Sequence, residues 1–233
     1  MQELVLNRQQ VRRVDEVAIR DFAMPGVVLM ENAGRGCVQA MREFAATGPV
    51  VICAGHGNNG GDGFVMARHL QILGLPCKVV LFCDPVNLRG DALINFQIVK
   101  KTSIPQTILP SDVSEQAIRK ELSAVGGQPT EWIVDALLGT GASGTVRPPM
   151  DVAVSVANQI SCKRLAVDIP TGLDCDTGQI ANVAFRADLT CTFVALKPGL
   201  LTPEAKPFVG EIKVVDIGVP PEVISQVRLT HAC

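Results

Sequence analysis

An apolar run that breaks into a glycine-rich loop constrains the fold of this chain more than any other stretch. Residues 50–54 (Val-Val-Ile-Cys-Ala) predict a buried strand, and residues 55–63 (Gly-His-Gly-Asn-Asn-Gly-Gly-Asp-Gly) predict a loop. Apolar residues then recur at helical spacing over residues 65–73. A strand that feeds such a loop exposes successive backbone N–H groups at a helix N-terminus, which favours a phosphate or another polar ligand.

The loop fits the Gly-x-Gly-x-x-Gly template of dinucleotide-binding proteins at Gly55, Gly57 and Gly60. Asp84, at the end of the next predicted strand, stands where that template has the acid that binds a ribose hydroxyl. The alternative is a tight turn without a ligand, because glycine and asparagine are ordinary turn residues.

Three polar side chains inside the loop distinguish it from an ordinary dinucleotide fingerprint. Asn58 and Asn59 supply carboxamides, and Asp62 supplies a carboxylate that we expect at the start of the helix. As an N-cap, Asp62 would hold the N–H groups that a pyrophosphate needs, which is atypical of an NAD-dependent dehydrogenase.

Strand-like apolar runs alternate with helical patterns along the rest of the chain. After the first strand, strands are predicted at residues 79–83, 107–109, 131–138, 165–169, 189–196 and 211–217. Outside the loop unit, helices are predicted at residues 11–22, 28–44, 91–101, 111–125 and 151–160. The alternation predicts a Rossmann-like, three-layer α/β/α sandwich with a mostly parallel sheet. We expect a single domain over residues 1–233, because no linker or internal repeat divides them.

The local pattern does not decide the surroundings of every polar residue in the first two helices. Asn7 is placed to cap the first helix, whose charged residues, Asp15 among them, we expect mostly to face water. In the second helix, Glu31 and Asn32 either face solvent or belong to a polar site.

Composition excludes several classes of function. The formal net charge of −2 does not suit a polyanion, so we expect no nucleic-acid partner, and no apolar run approaches the roughly 20 residues of a membrane helix. The chain has no tyrosine, which excludes short-chain dehydrogenases with a Tyr-x-x-x-Lys pair. Eight scattered cysteines without a Cys-x-x-Cys motif predict free thiols in a reducing, cytoplasmic location: Cys37, Cys53, Cys77, Cys83, Cys162, Cys175, Cys191 and Cys233.

Three predicted strands end in polar loops, and the carboxyl ends of parallel strands meet at one edge of a sheet. The loops carry Asn59 after the first strand, Asp135 with residues 139–144 after the fourth, and Asp168 with Thr171 after the fifth. Their amide, carboxylate and hydroxyl oxygens suit a hard cation, whereas the absence of a Cys/His motif disfavours zinc. Alternatively, Asp135 and Asp168 are structural carboxylates that cap neighbouring turns.

Together these loops resemble the NAD(P)H-hydrate epimerase family, the YjeF N-terminal domain. The matching segments are Leu-Met-Glu-Asn-Ala-Gly at 29–34, the loop at 55–63, Asp-Ala-Leu-Leu-Gly-Thr-Gly at 135–141, Asp-Ile-Pro-Thr-Gly at 168–172, residues 193–199 and residues 215–220. The resemblance covers almost the whole chain, and its Asn-Asn-Gly-Gly-Asp loop is highly distinctive. Thr171 stands where many members have serine, and His56 where many have proline.

The resemblance implies a substrate, a cation and partners. The substrate would be hydrated NADH or NADPH (NADHX or NADPHX), whose R and S epimers the family interconverts. The implied nucleotide-binding residues are Asn58, Asn59, Gly60, Gly61, Asp62, Gly139, Thr140, Gly141, Ala142, Ser143, Gly144, Thr145 and Asp168. Potassium (K+) would be bound by Asn59, Asp135 and Thr171. Members are often homodimers, and the dehydratase domain fused to some of them is not expected here, so a separate dehydratase would act in the same pathway.

Asp168 is the predicted catalytic residue of this implied reaction. We expect the carboxyl group, with a suitably raised pKa, both to protonate the departing hydroxyl and to take a proton from the incoming water. Asp62 more simply fixes the loop or a nucleotide hydroxyl, and Lys197 is either a solvated loop residue or a phosphate ligand.

Two other classes of function remain open. An NAD-dependent oxidoreductase would use the same glycine fingerprint, but it needs a catalytic His, Lys or Tyr, and the histidines at 56, 69 and 231 are poorly placed for that role. A nucleotide-sensing or scaffold protein would keep the pocket without turnover, and the presence of Asp168 argues against it.

Overall fold

Seven strands form one parallel sheet within residues 4–229, the part of the chain that the computed structural model describes. In chain order, all strands are β1 (Val50–Ala54), β2 (Cys77–Leu81), β3 (Gln106–Ile108), β4 (Ala124–Val125), β5 (Gln128–Pro129), β6 (Trp132–Ala136), β7 (Lys163–Val167), β8 (Leu189–Phe193) and β9 (Glu211–Val215). The sheet has the order β3-β2-β1-β6-β7-β8-β9, and β4 pairs with β5 in a separate antiparallel hairpin. The predicted histidine at 231 and free thiol at Cys233 lie outside the described residues.

Helices cover both faces of this sheet. They are α1 (Arg8–Arg20), α2 (Gly26–Glu43), α3 (Asn58–Ile72), α4 (Gly90–Val99), α5 (Glu115–Ser123), α6 (Met150–Gln159), α7 (Lys206–Val209) and α8 (Pro221–Leu229), with short 3₁₀ helices at Pro85–Asn87 and Pro198–Leu201. Over the described range, no helix has the length and apolar character needed to cross a membrane.

Alternation along the strands divides the core into two layers. In β1, Val50, Ile52 and Ala54 face a cluster that α1, α2, α3, α4 and α8 complete, whereas Val51 and Cys53 face a cluster completed by α5 and α6. Every β1 side chain is buried, which is the pattern of a central parallel strand. Burial of each large aliphatic side chain contributes about 1.5–3 kcal/mol. The predicted three-layer α/β/α sandwich is therefore confirmed.

The predicted elements are present, but several of their ends were wrong. The fourth predicted strand, 131–138, contains β6, which stops at Ala136 although Leu137 is also buried. Apolar residues continue into the loop because the loop itself is part of the core. The β4–β5 hairpin, α7 and the nine-residue α8 were not predicted; the two-residue strands and the four-residue α7 are too short to carry a periodic signal.

Of the two predicted N-cap residues, Asn7 is confirmed and Asp62 is wrong. Asn7 caps α1 as predicted, with a reciprocal capping box in which Asn7 Oδ1 accepts from Gln10 N–H at 2.9 Å. Asp62 does not cap α3: this helix begins at Asn58, so Asp62 lies a full turn inside it, and Gly57 is the cap residue. The helix can start early because Gly60 packs directly on the backbone of Gly55.

The order of the strands also defines where a ligand crevice should lie. From β1 the chain winds outward through β2 and β3, and it then returns to the other side of β1 with β6 and winds outward through β7, β8 and β9. The loops that follow β1 and β6 therefore diverge, and a crevice at such a switch point is the usual ligand site of an open α/β sheet.

Candidate active site

A cavity of about 560 Å³ lies at this switch point. Its wall includes these sequence-predicted residues: Asn58, Asn59, Asp62, Gly139, Thr140, Gly141, Ala142 and Asp168. Side chains of α1 and α2, including Asp15, Leu29 and Met30, form the remaining wall together with Phe193 and Val194. The three predicted loops therefore converge, and α1 and α2 close the cavity from the side.

Asp168 forms a buried ion pair in the wall of the cavity. Lys197 Nζ lies 2.9 Å from Asp168 Oδ1, outside hydrogen-bond geometry, and the backbone N–H of Thr140 donates to Oδ2 at 3.0 Å. Burial alone would raise the pKa of the Asp168 carboxyl, but the Lys197 ammonium and the Thr140 N–H outweigh it and hold the pKa below its usual value. Asp168 is therefore a carboxylate at neutral pH, and the predicted raised pKa was wrong.

Lys197 is not the solvated loop lysine that local pattern suggested. Its side chain is 0% exposed, and its ammonium donates to Thr192 Oγ1 at 2.7 Å and to the Phe193 carbonyl at 3.0 Å. The partners come from β8 and from the loop after β7, so nothing in the Lys-Pro-Gly sequence around residue 197 indicates them. The contact with Asp168 assigns Lys197 to the site.

Two neighbouring strands end in the same strained turn. Asp168 follows β7 and Val194 follows β8, and each has a φ of +66°. The N–H of Ile169 donates to the Val167 carbonyl, and the N–H of Ala195 donates to the Phe193 carbonyl, so each turn closes over three residues. A positive φ costs a non-glycine residue about 1–3 kcal/mol, and such strain concentrates at functional sites. Both turn residues line the cavity.

Asn59 has polar atoms that the described residues leave unsatisfied. Its side chain is buried, and within residues 4–229 neither Oδ1 nor Nδ2 has a hydrogen-bond partner. Both Asn59 and Asp168 contact the space beside Gly139, where an added Cβ would lie 3.3 Å from Asn59 Oδ1 and 3.1 Å from Asp168 Oδ2. Because buried amides are normally hydrogen-bonded, Asn59 indicates a bound partner at this point.

Asp135 and Thr171 join the loops below the cavity. Asp135 is 0% exposed and accepts from the Thr171 hydroxyl at 2.7 Å, from Thr171 N–H at 2.7 Å and from Leu137 N–H at 3.2 Å. Burial outweighs these hydrogen bonds and raises the pKa of the Asp135 carboxyl to about 6. The Thr171 hydroxyl also accepts from Leu138 N–H at 3.1 Å, so this hydroxyl group links the loop after β7 to the loop after β6.

These donors can hold a hard cation, but not a transition metal of the usual kind. Asn59, Asp135 and Thr171 offer only oxygen donors, and Asn59 Oδ1 has no other partner among the described residues. Within the same residues, no group of three or more His, Cys, Asp or Glu side chains is arranged to hold a metal ion. By its chemistry the set suits a cation that prefers amide, carboxylate and hydroxyl oxygens, and of its three members only Asn59 lines one of the two cavities.

The glycines of the first loop serve close packing more than ligand approach. A Cβ on Gly55 would collide with the Leu137 carbonyl, and one on Gly60 would collide with the Gly55 carbonyl. Gly57 has open space around it. Gly60 and Gly61, both predicted to bind the nucleotide, are buried and line neither of the two cavities described here. The fingerprint thus fixes α3 against β1 and β6, and Gly57, Asn58, Asn59 and Asp62 remain in the cavity wall.

Three more aspartates line the cavity besides Asp168: Asp15, Asp62 and Asp91. Asp62 is 7% exposed, and burial together with the charges of Asp168 and Asp15 raises the pKa of its carboxyl well above its usual range. Asp15, which was expected to face water, lines the cavity instead, and burial together with Asp168 raises its pKa to about 6. The amphipathic pattern of α1 could not reveal this, because it does not indicate what α1 packs against.

The second glycine loop separates the first cavity from another one of about 420 Å³. Gly139 and Ala142 line both, whereas Ser143, Gly144 and Thr145 line only the second. Asn182 holds the end of this loop: its Oδ1 accepts from Val146 N–H at 2.9 Å and its Nδ2 donates to the Val146 carbonyl at 3.1 Å. All predicted residues of the loop therefore face one cavity or the other.

Other polar residues singled out from the sequence have structural partners. Glu31 pairs with Arg68 and with His69, and Asn32 Nδ2 donates to the Ile217 carbonyl at 2.9 Å, so neither simply faces solvent. Asp84 accepts from Val86 N–H at 2.9 Å as the cap of a 3₁₀ helix, and it lines neither cavity.

This chain is similar to proteins of a known family. The family model of the YjeF-related protein N-terminus matches residues 26–199. The chain belongs to the YjeF N-terminal family. A curated NAD(P)H-hydrate epimerase of Pirellula staleyi is 43% identical over 223 residues, which cover 96% of this chain and 96% of that protein. One of Rhodopirellula baltica is 42% identical and covers 94% of this chain and 86% of its own length.

Some relatives in the YjeF N-terminal family are longer than this chain. A protein of Salinibacter ruber named bifunctional NAD(P)H-hydrate repair enzyme Nnr is 36% identical over 98% of this chain, but only 43% of its own length is matched. Among solved structures, the yeast protein YNL200c superimposes with a TM-score of 0.75, at 22% identity, over 96% of this chain and 93% of its own. This likeness shows that the two proteins have the same fold.

Proposed function

We propose that this protein is an NAD(P)H-hydrate epimerase, an isomerase that interconverts the R and S forms of hydrated NADH and NADPH in the repair of nicotinamide nucleotides. The observation that carries the proposal is a carboxylate, Asp168, kept ionised by Lys197 at the wall of a cavity between two glycine loops. Full-length similarity to curated epimerases supports the same function.

The substrate extends across the second glycine loop in this proposal. The nicotinamide ring lies beside Asp168 in the first cavity, with Asn58 and Asp62 near the ribose and phosphates. The loop of residues 139–145 forms the shared wall of both cavities, and the rest of the dinucleotide runs along it. Exposed N–H groups of glycine loops are suited to phosphate oxygens.

The chemistry requires loss and return of one water molecule. The hydroxylated ring carbon is bonded to the ring nitrogen, whose lone pair expels the hydroxyl as water and leaves a conjugated iminium ion. Water then adds to either face of the planar carbon. The Asp168 carboxylate stabilises the positive charge of the iminium ion and takes the proton of the incoming water, a role that its low pKa favours.

We further infer that the site uses potassium, bound by Asn59, Asp135 and Thr171. The unsatisfied amide of Asn59 supports this assignment, as does the all-oxygen donor set. The ion would connect the three loops and offset part of the phosphate charge. Asp135 and Thr171 also hold the loop ends in register through the hydrogen bonds between them.

The composition of the chain and the names of its relatives support a proposal for its biological setting. Scattered cysteines suit a reducing compartment such as the cytoplasm. We infer a single epimerase domain that forms a homodimer, and a separate NAD(P)H-hydrate dehydratase in the same pathway. The bifunctional name of the longer relatives supports this functional partnership.

One experiment tests the function and the cation together. The purified protein is given one epimer of NADHX or NADPHX, and the other epimer is followed by chromatography against a protein-free control. We expect faster interconversion with potassium than with tetramethylammonium at equal ionic strength. Binding of the nucleotide without any acceleration would identify a non-catalytic nucleotide-binding protein, and equal rates with both cations would contradict the potassium site.

A further inference from the structure

The proposed epimerisation needs a proton donor, and the contacts of Asp168 leave that role unfilled. A hydroxyl group departs as water only if it receives a proton, whereas Lys197 at 2.9 Å keeps Asp168 in its unprotonated form. A second acid that faces the same cavity is therefore required. This inference rests on the proposed function and concerns the identity of that acid.

Asp15 of α1 is placed to supply the proton. It lines the cavity together with Asp168, and it approaches from the α1 wall, whereas Asp168 lies at the edge of the sheet. Its side chain is partly buried, and within residues 4–229 its carboxyl group has no hydrogen-bond or ion-pair partner. A carboxyl group without partners that opens onto a ligand cavity is free to contact a substrate.

The surroundings of Asp15 favour its neutral form. Burial is the main cause, the charge of Asp168 adds to it, Lys197 acts in the opposite direction, and together they raise the pKa of Asp15 to about 6. The other charged groups that line the cavity are Arg8 and Arg12 on α1, Asp62 on α3 and Asp91 on α4. Glu16 follows Asp15 on α1, and Glu222 and Arg228 on the packed helix α8 are exposed. Below about pH 6, Asp15 is therefore protonated while Asp168 is ionised, which is the usual arrangement of an acid and a base within one cavity.

We propose that Asp15 is a catalytic residue that donates a proton to the departing hydroxyl, while Asp168 accepts a proton from the incoming water. The C–O bond breaks with its electron pair on oxygen, which takes the Asp15 proton and leaves as water. The nitrogen lone pair forms the C=N bond of the iminium ion. A second water forms the new C–O bond and transfers its proton to Asp168. Proton exchange with solvent then restores both groups, and the reverse conversion passes through the same states in the opposite order.

The test compares Asp15→Asn with Glu16→Gln, its exposed neighbour on α1. Rates of epimer interconversion are measured from about pH 5 to pH 9, with kcat and KM separated. We expect the wild-type rate to fall as pH rises through about 6, because the acid form of Asp15 is then lost. In Asp15→Asn, kcat should fall by about 10²–10⁴-fold with little change in KM, and this pH dependence should disappear. Glu16→Gln should keep the rate and the pH dependence, with the profile moved only slightly to lower pH, because the Glu16 charge is the smallest of the causes that act on the pKa of Asp15.

Further variants separate a chemical role from a structural one. Asp15→Ser is measured in parallel in case the asparagine variant does not fold, and Asp15→Glu should recover part of kcat because it restores a carboxyl group. Full activity with an unchanged profile in Asp15→Asn or Asp15→Ser would overturn the assignment. Loss of the pH dependence in Asp62→Asn, with retention in Asp15→Asn, would also overturn it. If the wild type itself does not interconvert the epimers, the proposed function has failed instead.

Discussion

Asp168 and Lys197 each depend on the other, because both charges are buried. The Lys197 side chain has no exposure, and its ammonium is surrounded by Asp168, the Thr192 hydroxyl and the Phe193 carbonyl. Removal of one member of such a pair leaves an uncompensated charge, which is far more costly than removal of both. The pair therefore sets the charge state of the cavity wall as well as its shape.

Replacement of Asp168 tests the base. We expect Asp168→Asn to lower kcat for epimer interconversion by about 10²–10⁴-fold, because asparagine cannot take up the proton of the incoming water. The amide oxygen can still accept from Thr140 N–H, so KM should change little. Chromatography of the two epimers measures the rate, and Asp112→Asn, at an exposed position, is the control. Interconversion at the wild-type rate would exclude Asp168 as the base.

Replacement of Lys197 tests the cause of the low pKa. In Lys197→Met, burial is no longer opposed by the ammonium, so the pKa of Asp168 should rise and the acidic limb of the kcat/KM profile should move to higher pH. The variant should also lose about 3–5 kcal/mol in the free energy of unfolding, measured in urea. The double variant with Asp168→Asn should recover much of that loss. Additive losses in the double variant would contradict the pair.

Residue-level prediction from the sequence succeeded where local chemistry defined the role and failed where a distant partner did. Asn59, Asp168 and Thr171 follow strand ends, whereas Asp135 lies within the last residues of β6. Asp135 contacts Thr171, and Asn59 and Asp168 both lie beside Gly139. Lys197 was misjudged, because its partners in β8 and after β7 are fixed only by the packing of the sheet.

At the scale of elements, glycine determines how closely α2, α3 and the strands approach. Gly34 of α2 lies against Val65 and the Asp62 carbonyl of α3, and Gly63 of α3 lies against Ala136 of β6. Any side chain at these positions would separate the elements. The Leu-Met-Glu-Asn-Ala-Gly segment, which was recognised from the sequence, therefore contributes a helix contact as well as residues of the cavity wall.

Two glycines of one loop provide a matched test of this packing. We expect Gly55→Ala to destabilise the protein by about 1–3 kcal/mol, because the methyl group would collide with the Leu137 carbonyl. Gly57→Ala should have little effect on stability, since Gly57 has an extended backbone (φ −91°, ψ −169°) and open space around it. Thermal unfolding measures both. Equal destabilisation by the two variants would contradict the packing role of Gly55.

The sequence predicts whether a long element is a helix or a strand, but it does not predict the residues at which the element begins and ends. Periodicity located every strand of the main sheet, yet predicted β8 as residues 189–196, although it ends at Phe193. Val194 and Ala195 belong to the strained turn, and Leu196 pairs with Val5 in an isolated bridge. These residues remain apolar because Val194 lines the cavity and the other two are buried. A buried loop has the composition of a strand, so composition alone cannot separate them.

At the scale of the whole molecule, the order of the strands in the sheet places the residues of the candidate site next to one another. Sequence alternation predicts a parallel sheet but not which strand lies next to which, because β1 pairs with β6 across 77 intervening residues of chain (55–131). The expectation that polar strand ends converge held because three of them belong to the adjacent strands β1, β6 and β7.

The position of a strand in this order predicts the effect of truncating its side chains. Ile52 in central β1 is 0% exposed, whereas Ile108 in edge strand β3 is 51% exposed. We expect Ile52→Ala to lower the free energy of unfolding by about 2–5 kcal/mol, and Ile108→Ala to change it by much less. Urea unfolding of the two variants measures the difference. Comparable losses would be inconsistent with the observed strand order.

The strained turns at Asp168 and Val194 would respond differently to selection for stability. Glycine would occupy a φ of +66° without strain, which removes about 1–3 kcal/mol of strain at either position. At Asp168, however, glycine would leave Lys197 as an unpaired buried charge, at a cost of about 3–5 kcal/mol. Directed evolution for thermal stability alone would therefore tend to replace Val194, which lines the cavity, and to retain Asp168. A stabilised variant obtained without an activity screen should be sequenced first at Val194.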